Sequence, residues 1–557
     1  MKIGLLSFAV FTAPGLCSLS LHESESPRVL QLGLKRNHHE DPVGRDRNRF
    51  KRQTQAVDVE LFGDSMEGEI YSTNLTIGTP PQAIEVSVDT GSSDLWVVYS
   101  DNDICGARGA RCDFLGTYDP QSSSSHEALS DRFQISYGDN SWAQGYYAVD
   151  TLTIENAEVP DVQFGVALAS SVDRRLTGPE GILGIGYAAN VATPKAYSNL
   201  PEHLVSNKVI KSNAYSLWLN RLGSDEGIIL FGGINTAHYT GPLRTLPVVP
   251  YNSQGDYVHL WLALTSMGVE SENDDIEKSY SDSDSSNEFP LVTLLDSGAT
   301  LTYLPSDLVL QIYSDLDVQF SEKEQFAYVP CNTYLVGRED YVLTFTFSGV
   351  TIRVPLSELI LQDALFYQGE KFHINGEETC LFAIMPAIDF FPILGDSFLR
   401  SAYVVFDLDN NEISLAQARF TSSGSSNRRD RILEIGEGAD SVPEAENVND
   451  PVTTATLIST GSSLVLPSGY MNDPIFPSRS VTTTSTTTEA TATSTNRVPG
   501  GGIEGGGGDD DDNDDADSSG SGTGPATPEE TGVGVIQRWN PVLLVGTGIL
   551  LYALMDV

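Results

Sequence analysis

The chain has 557 residues, and its 76 Asp and Glu outnumber 32 Lys and Arg, for a formal charge of −44 and a pI near 4.3. A surplus of that size excludes nucleic acid and anionic membrane surfaces as partners, because both would repel it. It suits a protein that works in acid, where a carboxylate-rich, lysine-poor surface carries less net positive charge; it also serves plain solubility.

Residues 1–21 open with Lys2 and run through Ile3-Gly4-Leu5-Leu6-Ser7-Phe8-Ala9-Val10-Phe11, the charged start and short apolar core of a secretory signal peptide. The chain is therefore expected on the secretory path, where disulfides form. Cys17 leaves with the signal; Cys105, Cys112, Cys331 and Cys380 remain and permit three pairings, while no CxxC or HExxH spacing supports a zinc site. Residues 22–52 reverse the charge balance with Arg28, Lys35, Arg36, Arg45, Arg47, Arg49, Lys51 and Arg52. A basic segment of this kind binds an acidic body at neutral pH and loosens as carboxylates protonate, which suits a propeptide; a disordered basic linker is the plainer alternative.

From about Ser65 short apolar runs alternate with turn residues, as in all-β domains. Glu69 to Gly78 reads as a strand, and Asn74-Leu75-Thr76 within it is an N-glycosylation sequon. Ile84, Val86 and Val88 alternate with Glu85 and Ser87 and deliver Asp89 to the turn Thr90-Gly91-Ser92. Desolvation makes an unsupported carboxylate expensive there, and Thr90, Ser92 and the Gly91 main chain supply donors. Taken alone, Asp-Thr-Gly is an ordinary Asx turn. Leu294-Leu295-Asp296-Ser297-Gly298-Ala299 repeats it after a second apolar run, and Ile182-Leu183-Gly184 and Ile393-Leu394-Gly395 follow the two Asp residues at nearly equal spacing. Two halves with the same parts in the same order predict duplicated lobes about a pseudo-twofold axis, across which Asp89 and Asp296 meet.

Over residues 67 to 420 the chain resembles the pepsin-family aspartic proteases, in particular the fungal yapsin-like, glycolipid-anchored branch. The resemblance rests on Ile77-Gly78-Thr79-Pro80-Pro81-Gln82, Asp89-Thr90-Gly91-Ser92-Ser93-Asp94-Leu95-Trp96-Val97, Tyr137-Gly138, Gly181-Ile182-Leu183-Gly184, Phe231-Gly232-Gly233-Ile234, Asp296-Ser297-Gly298 and Ile393-Leu394-Gly395-Asp396-Ser397-Phe398-Leu399-Arg400. It implies a mainly all-β, bilobal pepsin-like fold with an N-terminal lobe over 67–220 and a C-terminal lobe over 221–420. It also implies an endopeptidase of polypeptide substrates that works as a monomer without cofactor or metal. Asp89 and Asp296 would then be catalytic, with Thr90, Gly91, Ser92, Ser297 and Gly298 supporting them. Tyr137, Gly138 and Asp139 would form a flap over the substrate, with Trp96 as the hydrogen-bond partner of Tyr137. Ala299 departs from the pattern, since many relatives carry a hydroxyl there.

The lobes favour Cys105 with Cys112 and Cys331 with Cys380. A kexin-type processing protease is the expected activator at Lys51-Arg52. The resemblance implies cleavage at or beside Lys and Arg, with Asp139 as first candidate for the basic side chain. The acidic run Glu270 to Glu288 either attracts such substrates or is a solvated face.

After about Phe420 the strand pattern stops, and residues 421–523 read as a disordered Ser/Thr/Gly/Asp-rich stalk. The apolar end, Pro541 to Leu554, has small residues Ser518, Ser519, Gly520, Ser521, Gly522 and Gly524 upstream. That pattern predicts glycolipid (GPI) attachment to the outer face of the plasma membrane or to the wall, with 524–557 removed; a single spanning helix is the other reading. A catalytically silent wall-bound binding or adhesion protein would carry the same stalk and anchor, but neither Asp is lost.

Overall fold

The structure is a computed structural model that describes residues 28–40, 67–102, 105, 116–136, 142–155, 157–170, 181–224, 226–281, 288–321, 326–362, 366–367, 370–371, 373–374, 376–388, 390–420, 431–455 and 457. Strands dominate it, as the short alternating runs predict. The strand Gln82–Asp89 shows how sequence becomes architecture. Among its first residues only Ile84 is buried, with Ala83 exposed and Gln82 and Glu85 half-buried, but from Val86 to Asp89 every residue is buried, because the strand passes from a lobe surface into the junction.

The two halves are wired alike around their Ile-Leu-Gly runs. Gly181–Gly184 lies parallel to Gln82–Asp89, with Gly184 opposite Asp89, and antiparallel to Leu95–Val98. In the second half Ile393–Leu394 lies parallel to Leu291–Leu295 and antiparallel to Thr302–Leu304. Leu95–Val98 and Thr302–Leu304 each take a further parallel neighbour, Ala157–Ser170 and Ile384–Pro386. The glycines are required by close approach. A Cβ on Gly184 would stand 2.5 Å from Ser93 N, and one on Gly395 2.3 Å from Leu301 O. Each run is thus a core strand beneath its Asp turn.

One sheet spans the lobe junction. Ala214–Trp218 pairs with Glu226–Phe231 on one side and with Ala402–Asp407 on the other. Cys331 and Cys380 form a disulfide within the second half. Cys105 is disulfide-bonded, and Cys112 lies outside the described residues.

Two elements differ from the reading of the sequence. Leu30–Glu40, inside the basic segment, is a strand between Glu67–Ile77 and Glu226–Phe231. Leu30, Leu32 and Leu34 are buried in the main core and alternate with Gln31, Gly33 and Lys35. That period-two signal is present in the sequence but is overshadowed by the cationic residues around it. At the other end, the strand pattern continues past Phe420: Ile432–Glu434 pairs with Gly233–Asn235, and Ala445–Asn447 runs parallel to Tyr239–Pro247. Three-residue strands among polar residues leave too little periodicity to read. The remainder of the stalk, Lys51-Arg52, Ser518 to Gly524 and the apolar tail lie outside the described residues. Among those described, no helix is long and apolar enough to cross a membrane.

Candidate active site

Asp89 and Asp296 are each 1% exposed at the ends of their strands, and they face one another across the lobe junction. A Cβ on Gly91 would lie 2.6 Å from the carboxyl carbon of Asp296, so only glycine allows the second carboxyl to sit against the first turn. Each carboxylate accepts from the glycine two residues on: Gly91 N donates to Asp89 Oδ1 at 2.8 Å, and Gly298 N to Asp296 Oδ1 at 2.8 Å. Ser92 Oγ also donates to Asp89 Oδ2. The corresponding position in the second turn is Ala299, fully buried and without a hydroxyl.

The turns are tied by a reciprocal set of bonds. Thr90 Oγ1 donates to Leu295 O at 2.8 Å and accepts from Ser297 N at 2.9 Å; Ser297 Oγ donates to Val88 O at 3.0 Å and accepts from Thr90 N at 3.2 Å. The pseudo-twofold symmetry expected from the repeat therefore extends to single atoms. Buried main-chain groups are satisfied across the axis, and the distance between the carboxyls is set by the interior of both lobes.

Of the other expected residues, Trp96 is buried against Phe133, with ring centroids 6.2 Å apart. Phe133 and Trp142 belong to the hairpin Glu127–Ser136 with Trp142–Ile154. Tyr137, Gly138 and Asp139 lie between its strands and outside the described residues. Asn74 is exposed on Glu67–Ile77. The run from Glu270 forms a hairpin, Ser266–Ser271 with Ile276–Ser279. Several of its charges are engaged within the second lobe: Glu270 with Arg353, Asp274 with the Tyr341 hydroxyl, and Lys278 with Asp315.

Asp94 was not singled out in the sequence. It is fully buried, and its carboxylate accepts from the hydroxyls of Tyr147 and Tyr197, both at 2.8 Å, and from Ala192 N at 2.7 Å. It joins the first Asp loop to the base of the hairpin. An acid inside Ser93-Asp94-Leu95-Trp96, just before a fully buried strand, was the available signal. Nearby, burial pushes the Tyr215 phenol well above its ordinary value, with Tyr187 and Asp89 adding to the shift; its hydroxyl donates to Ile185 O at 3.0 Å. Among the described residues no group of His, Cys, Asp and Glu is arranged to hold a metal ion.

Comparison with known proteins agrees with this geometry. The family model of eukaryotic aspartyl protease matches residues 70–418. The chain is 44% identical over 470 residues to the probable aspartic-type endopeptidase opsB of Aspergillus oryzae, covering 84% of this chain and 90% of that one. It is 42% identical to the protein of the same name in Aspergillus fumigatus, over 82% of this chain and 88% of the relative. Secreted aspartic protease 8 of Candida albicans is 36% identical over 64% of this chain and 78% of its own length. With two buried Asp turns joined across a pseudo-twofold axis, the chain belongs to the eukaryotic aspartyl protease family and is an aspartic-type endopeptidase.

Proposed function

We propose that Asp89 and Asp296 are the catalytic dyad of a secreted, cell-surface endopeptidase, and the observation that carries this is the contact of the Asp296 carboxyl with the Gly91 turn. Two carboxyls that close share one proton and titrate as a pair. The charged member takes a proton from a water between them as that water attacks the peptide carbonyl. The protonated member hydrogen-bonds the carbonyl oxygen, and a proton then passes to the departing nitrogen. Thr90 and Ser297 fix the two turns, and Ser92 supports the charged form of Asp89.

Secretion is supported by the apolar N-terminal segment and fits the name of the Candida albicans relative. The small-residue run before the apolar tail supports glycolipid anchoring, and the dibasic Lys51-Arg52 supports processing by a kexin-type protease. The acid surplus supports a preference for Lys or Arg at or beside the scissile bond. Since Glu270 and Asp274 are engaged within the second lobe, Asp139 is the residue we assign to that contact.

Peptide cleavage at acid pH, with and without pepstatin and beside Asp89→Asn and Asp296→Asn, tests the dyad. Cleavage should vanish in all three cases; cleavage that survives them removes the assignment.

A further inference from the structure

His259 is a titratable side chain in the second lobe that the dyad chemistry does not use. Trp261 stands opposite Leu294 in the ladder of Trp261–Leu264 with Leu291–Leu295. The last bond there runs from Leu295 N to Leu260 O at 3.3 Å. The next residue along one chain is Asp296, and along the other it is His259. Two residues earlier, Tyr257 reaches across the junction to Tyr187, ring centroids 6.3 Å apart, and Tyr187 lies just beyond the Gly184 that pairs with Asp89. The stretch from Tyr257 to His259 thus runs along the lobe junction on the Asp296 side.

The imidazole is half-buried among aromatic rings. It stacks on Trp261 at 4.9 Å between centroids, with Tyr251 and Phe391 each 5.9 Å away. Such walls fix the ring and exclude water, which strengthens any hydrogen bond it makes. A histidine presents N–H donors and becomes cationic in acid, so the partner it recognises best is a carboxylate, through a charge-assisted bond.

We propose that His259 is a specificity-determining residue that receives an acidic substrate side chain on the Asp296 side of the scissile bond. This rests on the assignment of Asp296 to the dyad. It adds a second electrostatic preference to the basic one: a substrate with Lys or Arg at one position and Glu or Asp at another.

The test uses full-length protein, pepstatin-sensitive cleavage, and peptides in which each position near the scissile bond carries Glu or its neutral isostere Gln. At about pH 5, where a free Glu is mostly ionised, the wild type should favour Glu about tenfold in kcat/KM at one position, as a charge-assisted bond allows. His259→Gln should bring that ratio to about one, and His259→Arg should keep it. A flat ratio at every position in the wild type overturns the proposal, and it does so even if a variant fails to fold. So does a ratio unchanged in His259→Gln. Flat ratios with pepstatin-sensitive cleavage of the Gln peptides remove this proposal alone, whereas pepstatin-resistant cleavage removes the dyad assignment beneath it.

Discussion

Thr90 and Ser297 hold one another's main chains across the lobe junction, each hydroxyl accepting from the partner's amide and donating to a carbonyl of the opposite strand. Their four bonds decide how the turns face. Thr90→Val keeps the branched shape and removes two bonds, leaving Leu295 O and Ser297 N buried without them. We expect unfolding free energy to fall by about 1–3 kcal/mol and kcat by about tenfold or more through misplacement of the carboxyls. Urea unfolding and kcat on one peptide check both; an unchanged kcat would show that the turns are held elsewhere.

Ser92 donates to Asp89, whereas Ala299 at the matching position has no hydroxyl to offer Asp296. A donor to the charged form lowers a carboxyl's pKa. Ala299→Ser should therefore move the acid limb of kcat/KM to lower pH, with the basic limb affected less. An acid limb that stays in place or rises counts against this account of the asymmetry.

Both Asp turns were legible because each joins an apolar run, alternating before Asp89 and continuous before Asp296, to Asp-hydroxyl-Gly, and because a repeat needs no tertiary knowledge to be seen. The reciprocal Thr90 and Ser297 bonds followed from that symmetry. Asp94 was harder to read: its donors, Tyr147 and Tyr197, are remote in sequence, so only the fold brings three partners to one carboxylate. Leu30–Glu40 was obscured for a different reason: the cationic residues around it pointed to a segment held on an acidic body by charge, while its leucines alternate into the core. His259 gave no signal, because its significance depends on ladder register with the Asp296 strand.

Stability should respond to acid in an unusual direction near Glu412. Burial, then the charges of Asp407 and Asp440, push its carboxyl above the ordinary value of 4.5. Burial also raises Asp407, despite bonds from Asn410 and Ser441. A folded pKa above the unfolded one means that the native state keeps a proton the unfolded chain has released. This contribution therefore weakens folding as pH rises through the window above 4.5, and acidification restores it. Glu412→Gln should raise Tm by about 1–2 °C at neutral pH and leave it unchanged in acid. A gain of equal size at both pH values would indicate a packing effect instead.

Arg400 and Glu358 form an ion pair with side chains 0% and 6% exposed, Nε to Oε2 at 2.9 Å. Arg400 Nη2 also donates to Glu358 O at 2.6 Å, and Glu358 Oε2 accepts from Leu222 N at 2.8 Å, in the connection between Ala214–Trp218 and Glu226–Phe231. Arg400→Met leaves a buried carboxylate without its cation and should cost about 3–5 kcal/mol of stability. Glu358→Gln keeps an acceptor for Leu222 N and should cost less. Chemical denaturation of both variants gives the order, and the reverse order would argue against the pair as an anchor of that connection.

The segment from Arg431 to Val452 should behave as part of the catalytic body and not as stalk. Ile435 and Val442 are buried with Trp218, Leu243, Tyr403 and Val405. Ile435 N donates to Gly232 O at 2.8 Å, Glu434 pairs with Lys211 at 2.8 Å, and Val452 N donates to Ser348 Oγ at 2.9 Å. A chain ended after Phe420 strips these contacts and exposes the apolar surface beneath them. Burial of Ile435 and Val442 alone is worth about 1.5–3 kcal/mol each. A chain ended after Leu457 keeps every one of these contacts. The shorter chain should therefore unfold at clearly lower urea than the full chain, and the longer one at the same concentration as the full chain. Equal midpoints for the two truncations would place the end of the folded body near Phe420 after all.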